Sequence, residues 1–428
     1  MPDVARVVDA VWRMESARLI GALARVTGDV GLAEELAQDA LVAALERWPE
    51  SGVPDKPGAW LMATAKHRAI DTFRRSERLA TKTAELGREL AVREATETDW
   101  AAALDEVVED DVLRLVFIAC HPVLSREARV ALTLRLVGGL TTDEIARAFL
   151  VAESTVAQRI VRAKRTLTAA RVPFELPTGA DFAARVSSVL EVVYLVFNEG
   201  YSATAGEHWT RPALCQEALR LGRIVAELVP GEPEVHGLVA LMEIQASRLA
   251  ARTGPSGEPV LLTDQDRGRW DRVLIGRGLA ALERAERAGR ALGPYALQAA
   301  IAACHARAGS MEQTDWPRIA ALYEALAEVA PSPVVELNRA VAVSRAYGPA
   351  AGLELVDALA DEPALRGYHL LPSVRGDLLV QLGRLDEARA EFERAASMTR
   401  NEREQGLLLD RAAACTPLEP EGARHADR

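Results

Sequence analysis

Apolar residues recur at helical spacing along most of the chain. Residues 28–47 form a strongly amphipathic segment, with Glu34, Glu35, Gln38 and Asp39 on its polar side. Between Trp60 and Arg75, Met62, Ala65, Ala69 and Phe73 make an inner stripe. Ile145, Ala146 and Phe149 share one face of a short helix. Val156, Ile160, Ala163 and Leu167 recur at spacings of four, three and four in the helix after it. No segment alternates convincingly with β-branched residues. Aromatics are scarce, and Ala, Leu, Arg and Glu dominate, which favours helices. The pattern predicts an all-α protein, and 428 residues suffice for two or three domains.

Punctuation between the helices is also readable. Trp48-Pro49 and Pro54 predict a helix break, and Asp55 and Pro57 predict a new start. Gly138 and Gly139 can end a helix through the left-handed conformation. Thr141 and Glu144 then form a capping box. Ser154 or Glu153 can cap the next helix. Residues 139–165 thus read as helix, tight turn and basic helix, the pattern of a helix-turn-helix whose second helix enters the DNA major groove.

Charge sharpens this reading. Gln158, Arg159, Arg162 and Arg165 point away from the apolar stripe of the second helix. Ser154 to Arg171 holds five basic residues and no acidic one, which suits a groove lined with phosphates. The formal net charge is −11, so the chain is not one that coats nucleic acid indiscriminately. Its cations are localised. A second patch lies between Trp60 and Arg78, where Lys66, Arg68, Arg74, Arg75 and Arg78 meet only Asp71 and Glu77.

Cys120, Cys215, Cys304 and Cys415 are far apart and form no Cys-x-x-Cys pair, which points to reduced thiols in the cytoplasm. Cys120-His121 has no partner ligands at suitable spacing and reads as a buried thiol in a helix. There is no signal peptide and no long apolar run, so a cytoplasmic location is expected. No Ser-His-Asp, metal or phosphate-loop constellation is present. Neither an enzyme nor a cofactor is expected.

The ordered set of motifs resembles the extracytoplasmic-function (ECF) sigma factors of bacterial RNA polymerase. The resemblance covers residues 9–172. It implies that Asp29 through Asp39, with Asp29, Glu35, Gln38 and Asp39 in front, docks on the β′ clamp helices of core polymerase. It implies that Trp60, Lys66, His67, Arg68, Arg74 and Arg75 act at the promoter −10 element. The loop Trp48–Gly58 corresponds to the segment that captures an unstacked −10 base. The helix-turn-helix corresponds to the region that reads the −35 element beside the β flap. Gln158, Val161 and Arg162 would then face base edges, and Arg159, Lys164 and Arg165 would sit nearer phosphates. Glutamine and arginine are indeed side chains that contact adenine or guanine in bidentate fashion. The chain departs from the family pattern at His67, often Asn, and at Leu150, usually Gly. Trp60 reads more readily as a core residue than as a stacking platform, and Asp71 reads equally as the ion-pair partner of Arg75.

This organisation implies a core- and −10-binding domain over residues 1–80, an acidic linker over 81–108 and a −35-binding domain over 109–172. The linker reads as a solubilising tether or, by the resemblance, as a segment threading the RNA-exit path. A helical domain over 173–412 follows, and then a flexible tail over 413–428. Pro173, Pro177 and Gly179 mark the boundary. Gly383, Ala388, Phe392 and Ala395 match the second half of a tetratricopeptide (TPR) repeat, and Ile319, Tyr323, Leu326 and Pro331 fit its later part. A TPR-like groove would take a peptide or protein ligand and regulate the sigma domains. Asn198, Glu199 and Tyr201, and Asp264, Asp266, Arg267 and Trp270, stand out as possible regulatory residues. They resemble segments of the TPR-tailed group of ECF sigma factors, and they read more readily as helix caps and a buried polar network. Two alternatives compete with the sigma-factor reading: an operator-binding helix-turn-helix regulator with a C-terminal sensor domain, and a TPR scaffold.

Overall fold

The structure, a computed structural model, describes residues 4–86, 111–149, 151–202, 210–255, 257–289, 291–399 and 401–415. Among these residues the fold is helical, with an isolated antiparallel bridge between Thr253 and Pro259. No helix among them is long and apolar enough to cross a membrane. The chain divides into two compact units, residues 1–195 and residues 196–428.

Unit 1 begins with α1 (Val4–Thr27), α2 (Val30–Ser51) and α3 (Pro57–Leu86). Gly28 takes a positive φ of 67°, and Asp29 caps α2 by accepting from the Leu32 amide at 3.0 Å. Ala33, Ala37, Ala40 and Ala44 are buried, and so are Ile20, Leu23 and Ala24 of α1, the helix α2 packs on. Contrary to the predicted break at Trp48-Pro49, α2 runs on to Ser51 and ends at Gly52, φ 81°. Pro49 lies in the last turn, where its missing N–H costs a single bond to the Leu45 carbonyl. As predicted, Pro57 starts α3.

Four helices follow: α4 (Asp111–Ala119), α5 (Arg126–Leu136), α6 (Thr142–Phe149) and α7 (Glu153–Ala169). α4 packs on α1 so closely that a Cβ on Gly21 would stand 2.9 Å from the Asp111 carbonyl oxygen. Asp111 is buried there between Arg25 and Arg114, at 2.9 and 2.7 Å. α8 (Ala180–Tyr201) starts just past Gly179. Its first half packs within unit 1. Phe182 meets Phe117 edge-on, and the Ser188 hydroxyl donates to the Cys120 carbonyl at 2.6 Å. Unit 1 therefore extends past the expected boundary at Pro173. Burial pushes the Cys120 thiol up to about 12, so it stays protonated. Most of the acidic linker lies outside the described residues.

Unit 2 continues with α9 (Pro212–Leu228), α10 (Pro233–Ala246), α11 (Arg272–Arg287), α12 (Pro294–Arg307), α13 (Trp316–Val329), α14 (Pro333–Tyr347), α15 (Pro349–Ala358), α16 (Leu370–Gln381), α17 (Leu385–Met398) and α18 (Glu402–Ala414). From α9 onward each helix packs on its successor. Gly348 and Gly383 hold matching places, between α14 and α15 and between α16 and α17, with φ of 103° and 75°. Positive φ is open to glycine without a Cβ penalty, which explains the residue type at both turns. Ala388, Phe392 and Ala395 are buried with Leu337, Leu353, Val356 and Leu378. Ile319 and Leu326 join a separate core with Leu297 and Ile301, and Tyr323 packs against it.

Phe392 is fully buried, and the Arg411 guanidinium lies 4.3 Å from its ring centre. Phe392→Ala should destabilise unit 2 by about 3–5 kcal/mol, read as a lower urea midpoint with the slope unchanged.

Candidate nucleic-acid and partner interface

The geometry of the helix-turn-helix starts from its caps. Glu144 donates its amide to the Thr141 hydroxyl at 3.1 Å, and its carboxylate accepts from the Thr141 amide at 2.8 Å. The predicted capping box is therefore formed. The Glu144 carboxylate also pairs with Arg13 of α1 at 2.6 Å. α7 begins differently from expectation. Its N-cap is Ala152, with no side-chain cap, so neither Ser154 nor Glu153 fills that place. Glu153 instead lies in the first turn, where its charge suits the helix dipole. Leu150 lies outside the described residues.

Val156, Ile160, Ala163 and Leu167 are all buried. Burial of that stripe sets the rotation of α7. Gln158, Val161, Arg162 and Arg165 are exposed as a consequence, while Arg159 and Lys164 are half-buried on the flanks. The Thr166 hydroxyl donates back to the Arg162 carbonyl, and the single Thr168 hydroxyl proton is shared between the Lys164 carbonyl at 3.1 Å and the Asp29 carboxylate at 3.3 Å.

The second patch lies on α3. Trp60 is half-buried and packs edge-on against buried Trp48, centroids 5.4 Å apart. His67 and Arg68 are exposed, and Lys66 is half-buried. Arg74 and Arg75 continue the helix, but their side chains, and with them the expected Asp71–Arg75 pair, lie outside the described residues. On α2, Glu35 and Asp39 are exposed. Gln38 donates to Glu34, and Asp29 accepts from the Thr168 hydroxyl at 3.3 Å besides capping its own helix.

Glu34 departs from its polar neighbours. It is 2% exposed and pairs with Arg135 of α5 at 2.7 Å and with Lys164 of α7. Sequence reasoning placed Glu34 on the polar side of its helix and did not single out Arg135. Glu34 follows Ala33 and lies three residues before Ala37, at the edge of the alanine stripe, which was the one local signal of burial.

In unit 2 the singled-out residues separate into two groups. Tyr201, Arg267 and Trp270 converge on one buried network. The Tyr201 hydroxyl donates to Gln245 at 2.9 Å, and Gln245 also accepts from Arg248 at 3.0 Å. The Arg252 guanidinium stacks over the Tyr201 ring at 3.8 Å. Arg248 and Arg267 flank Trp270 at 5.4 and 5.1 Å. Arg267 donates to the His305 and Ala308 carbonyls, both at 2.8 Å. Asn198, Asp264 and Asp266 stay exposed, Asp266 capping the turn at Gly268, and Glu199 pairs with Arg211. Gln245, Arg248 and Arg252 were missed, because Gln245 ends an apolar helix and the two arginines flank the short 3-10 turn beyond it, where periodicity gives no signal.

Three family models match the chain. One described as sigma-70 region 2 covers residues 12–79, and one described as sigma-70, region 4 covers residues 114–167. A third, a family of unknown function called DUF6596, covers residues 185–286. A Rhizobium meliloti protein described as uncharacterized is 46% identical over 400 residues, 92% of this chain and 93% of that protein. The probable ECF RNA polymerase sigma factor SigI of Mycobacterium tuberculosis is 26% identical over 263 residues, 54% of this chain and 84% of its own. The ECF RNA polymerase sigma factor SigL of the same species is 29% identical over 164 residues, 38% of this chain and 88% of its own. No solved structure matches the chain.

Burial lowers His305 from 6.5 to about 4, and Arg248 and Arg267 lower it further in the same direction. Between those values the unfolded chain binds a proton that the folded chain refuses, so stability falls as pH drops from 6.5 towards 4. His305→Phe keeps a ring against Trp316 and removes the titration. Urea titrations should show wild type losing up to about 3 kcal/mol relative to that variant across the window.

Proposed function

The chain belongs to the ECF RNA polymerase sigma factors and carries a helical C-terminal extension, and from that premise we propose a role for each surface. A sigma factor binds core RNA polymerase and promoter DNA and directs transcription initiation. Residues 1–80 are the core- and −10-binding domain in this reading. Asp29, Glu35, Gln38 and Asp39 of α2 meet the β′ clamp helices. Trp60, Lys66, His67, Arg68, Arg74 and Arg75 of α3 hold the opened −10 strand, where cations and an aromatic surface suit an unpaired backbone and its bases. Residues 109–172 form the −35-binding domain beside the β flap.

The exposure of Gln158, Val161 and Arg162 together on α7, above a buried stripe, carries the reading. Arg162 and Gln158 read base edges there, and Arg159, Lys164 and Arg165 engage phosphates. Unit 2 is a TPR-like regulatory domain that takes a peptide or protein ligand, with the Tyr201–Trp270 network at its centre. Its repeated helix–glycine–helix turns at Gly348 and Gly383 support that assignment.

Run-off transcription with the full chain and core polymerase tests this reading. Start sites should depend on the protein. Arg162→Ala should relax specificity at one −35 position by about 1–3 kcal/mol. Lys164→Ala should weaken duplex binding evenly across sequences and reduce the salt slope by about one. Binding of an operator duplex at full affinity without core polymerase would point to a classical regulator instead. For unit 2, Trp270→Ala should change run-off yield while −35 affinity holds. Unchanged yield from the folded variant would remove the regulatory role.

A further inference from the structure

The centre of unit 2 buries two cations that no acid matches. Arg248 is 7% exposed and Arg267 8%, and among the described residues neither pairs with a carboxylate. Arg267 is fully committed: it donates to the His305 and Ala308 carbonyls, the Thr314 hydroxyl and the Met311 sulfur. Arg248 is not. Its Nε donates to Gln265 at 3.3 Å and its Nη1 to Gln245 at 3.0 Å, while its Nη2 donates to no group among the described residues. Two more donors stand idle beside it. The Trp270 ring, flanked by both guanidinium groups, has a buried Nε1 with no hydrogen-bond partner. His305, whose carbonyl holds Arg267, has a buried Nδ1 in the same condition. We propose that this cluster is a binding site for a phosphate group, with Arg248, Trp270 and His305 as donors and Arg267 as the fixed charge behind them.

The case begins with the cost of the empty arrangement. A buried cation without a counter-charge is expensive, and buried donors in folded proteins are almost always paired. Burial lowers Arg248 most; Tyr201 opposes that lowering, and Arg252 and Arg267 add to it. Glu312 acts on Arg267 only from the exposed surface. A bound anion would answer both guanidinium groups at once. His305 is kept neutral by burial, and a neutral imidazole donates from Nδ1 in one of its tautomers.

The donors also select the class of anion. A carboxylate is taken best by two parallel N–H groups of one guanidinium. Arg248 has already spent Nε and Nη1 on glutamine oxygens, so it offers no free fork. A phosphate group carries three strong acceptor oxygens pointing in different directions, one for each idle donor. Access is short. Gln265 covers Arg248 and lies between exposed Asp264 and Asp266, so the site is one residue beneath the surface. Those two acids oppose an anion, but exposed charges are screened by water and salt, and Asp266 is engaged at the Gly268 amide.

The site rests on the regulatory reading of unit 2 for its purpose, and its binding can be measured without it. Calorimetric titration of the full chain with inorganic phosphate, in chloride buffer at constant ionic strength, should show saturable binding to one site. Sulfate, also tetrahedral, should compete, and acetate should not. Arg248→Gln should weaken binding at least about tenfold, the size expected for losing a hydrogen bond to a charged group. Trp270→Phe keeps a ring and should weaken it about fivefold. Arg287→Gln, on the exposed end of α11, should leave it unchanged. In nitrogen–proton NMR spectra the Trp270 indole resonance, identified by its loss in Trp270→Phe, should move downfield as phosphate binds. Methyl phosphate binding as well as the free ion would support the site with a phosphorylated small molecule as its source, and exclusion of methyl phosphate would support it with the free ion.

A response no larger than that to chloride would overturn the site. So would a Trp270 resonance that stays in place at saturation, or undiminished binding in folded Arg248→Gln. Acetate binding as tightly as phosphate would overturn the ligand class. Phosphate binding that leaves run-off yield unchanged would uphold the site and remove its regulatory purpose. A yield altered by Trp270→Ala in a chain that binds no phosphate would defeat the site and keep the regulatory reading.

Discussion

A basic helix presents its charges to DNA only if another part of the molecule fixes its opposite side. In α7 that constraint is the burial of Val156, Ile160, Ala163 and Leu167. A rotation of one residue, about 100°, would bury arginine and expose the stripe, and the cost of burying an unpaired charge forbids it. The capping box at Thr141 and the Arg13–Glu144 pair fix the entry to the preceding helix. The outward set Gln158, Val161 and Arg162 follows from these inward constraints.

Both units bury ionic groups, and unit 2 adds a second way of satisfying them. Unit 1 pairs acid with base: Asp111 with Arg25 and Arg114, and Glu34 with Arg135 and Lys164. Unit 2 also pairs buried Glu243 with Arg223, and in addition it surrounds guanidinium groups with aromatic faces, amide oxygens and carbonyls, as at Arg248 and Arg267. Arg248 is accordingly lowered by burial, and Arg252 and Arg267 add to that lowering. The first arrangement leaves each charge facing an opposite one. The second is built into one helical core, and removing a partner leaves a charge stranded.

Much of the fold was legible in residues close together in sequence. Helical periodicity located the helix-turn-helix and its buried stripe, and Thr141 with Glu144 announced the cap. Ala388, Phe392 and Ala395 marked a helix face that proves buried. Local rules failed where tertiary context overrode them. The last turn of α2 accommodates Pro49, and α7 starts at an uncapped Ala152 because its stripe, rather than its cap, holds it. The singled-out residues of unit 2 were found as a string, without the knowledge that Tyr201 and Trp270 share a network while Asp264 and Asp266 face solvent.

By itself the sequence determined the all-helical class, the order of the two DNA-binding segments and the sign of charge on each helix face. These follow from spacing and residue type, which act over a few turns. Only the tertiary structure decided that Glu34, lodged among polar neighbours, would be buried against cations from residues 135 and 164. A carboxylate's fate depends on the dielectric and the charges around it, and those are supplied by segments far away in the chain.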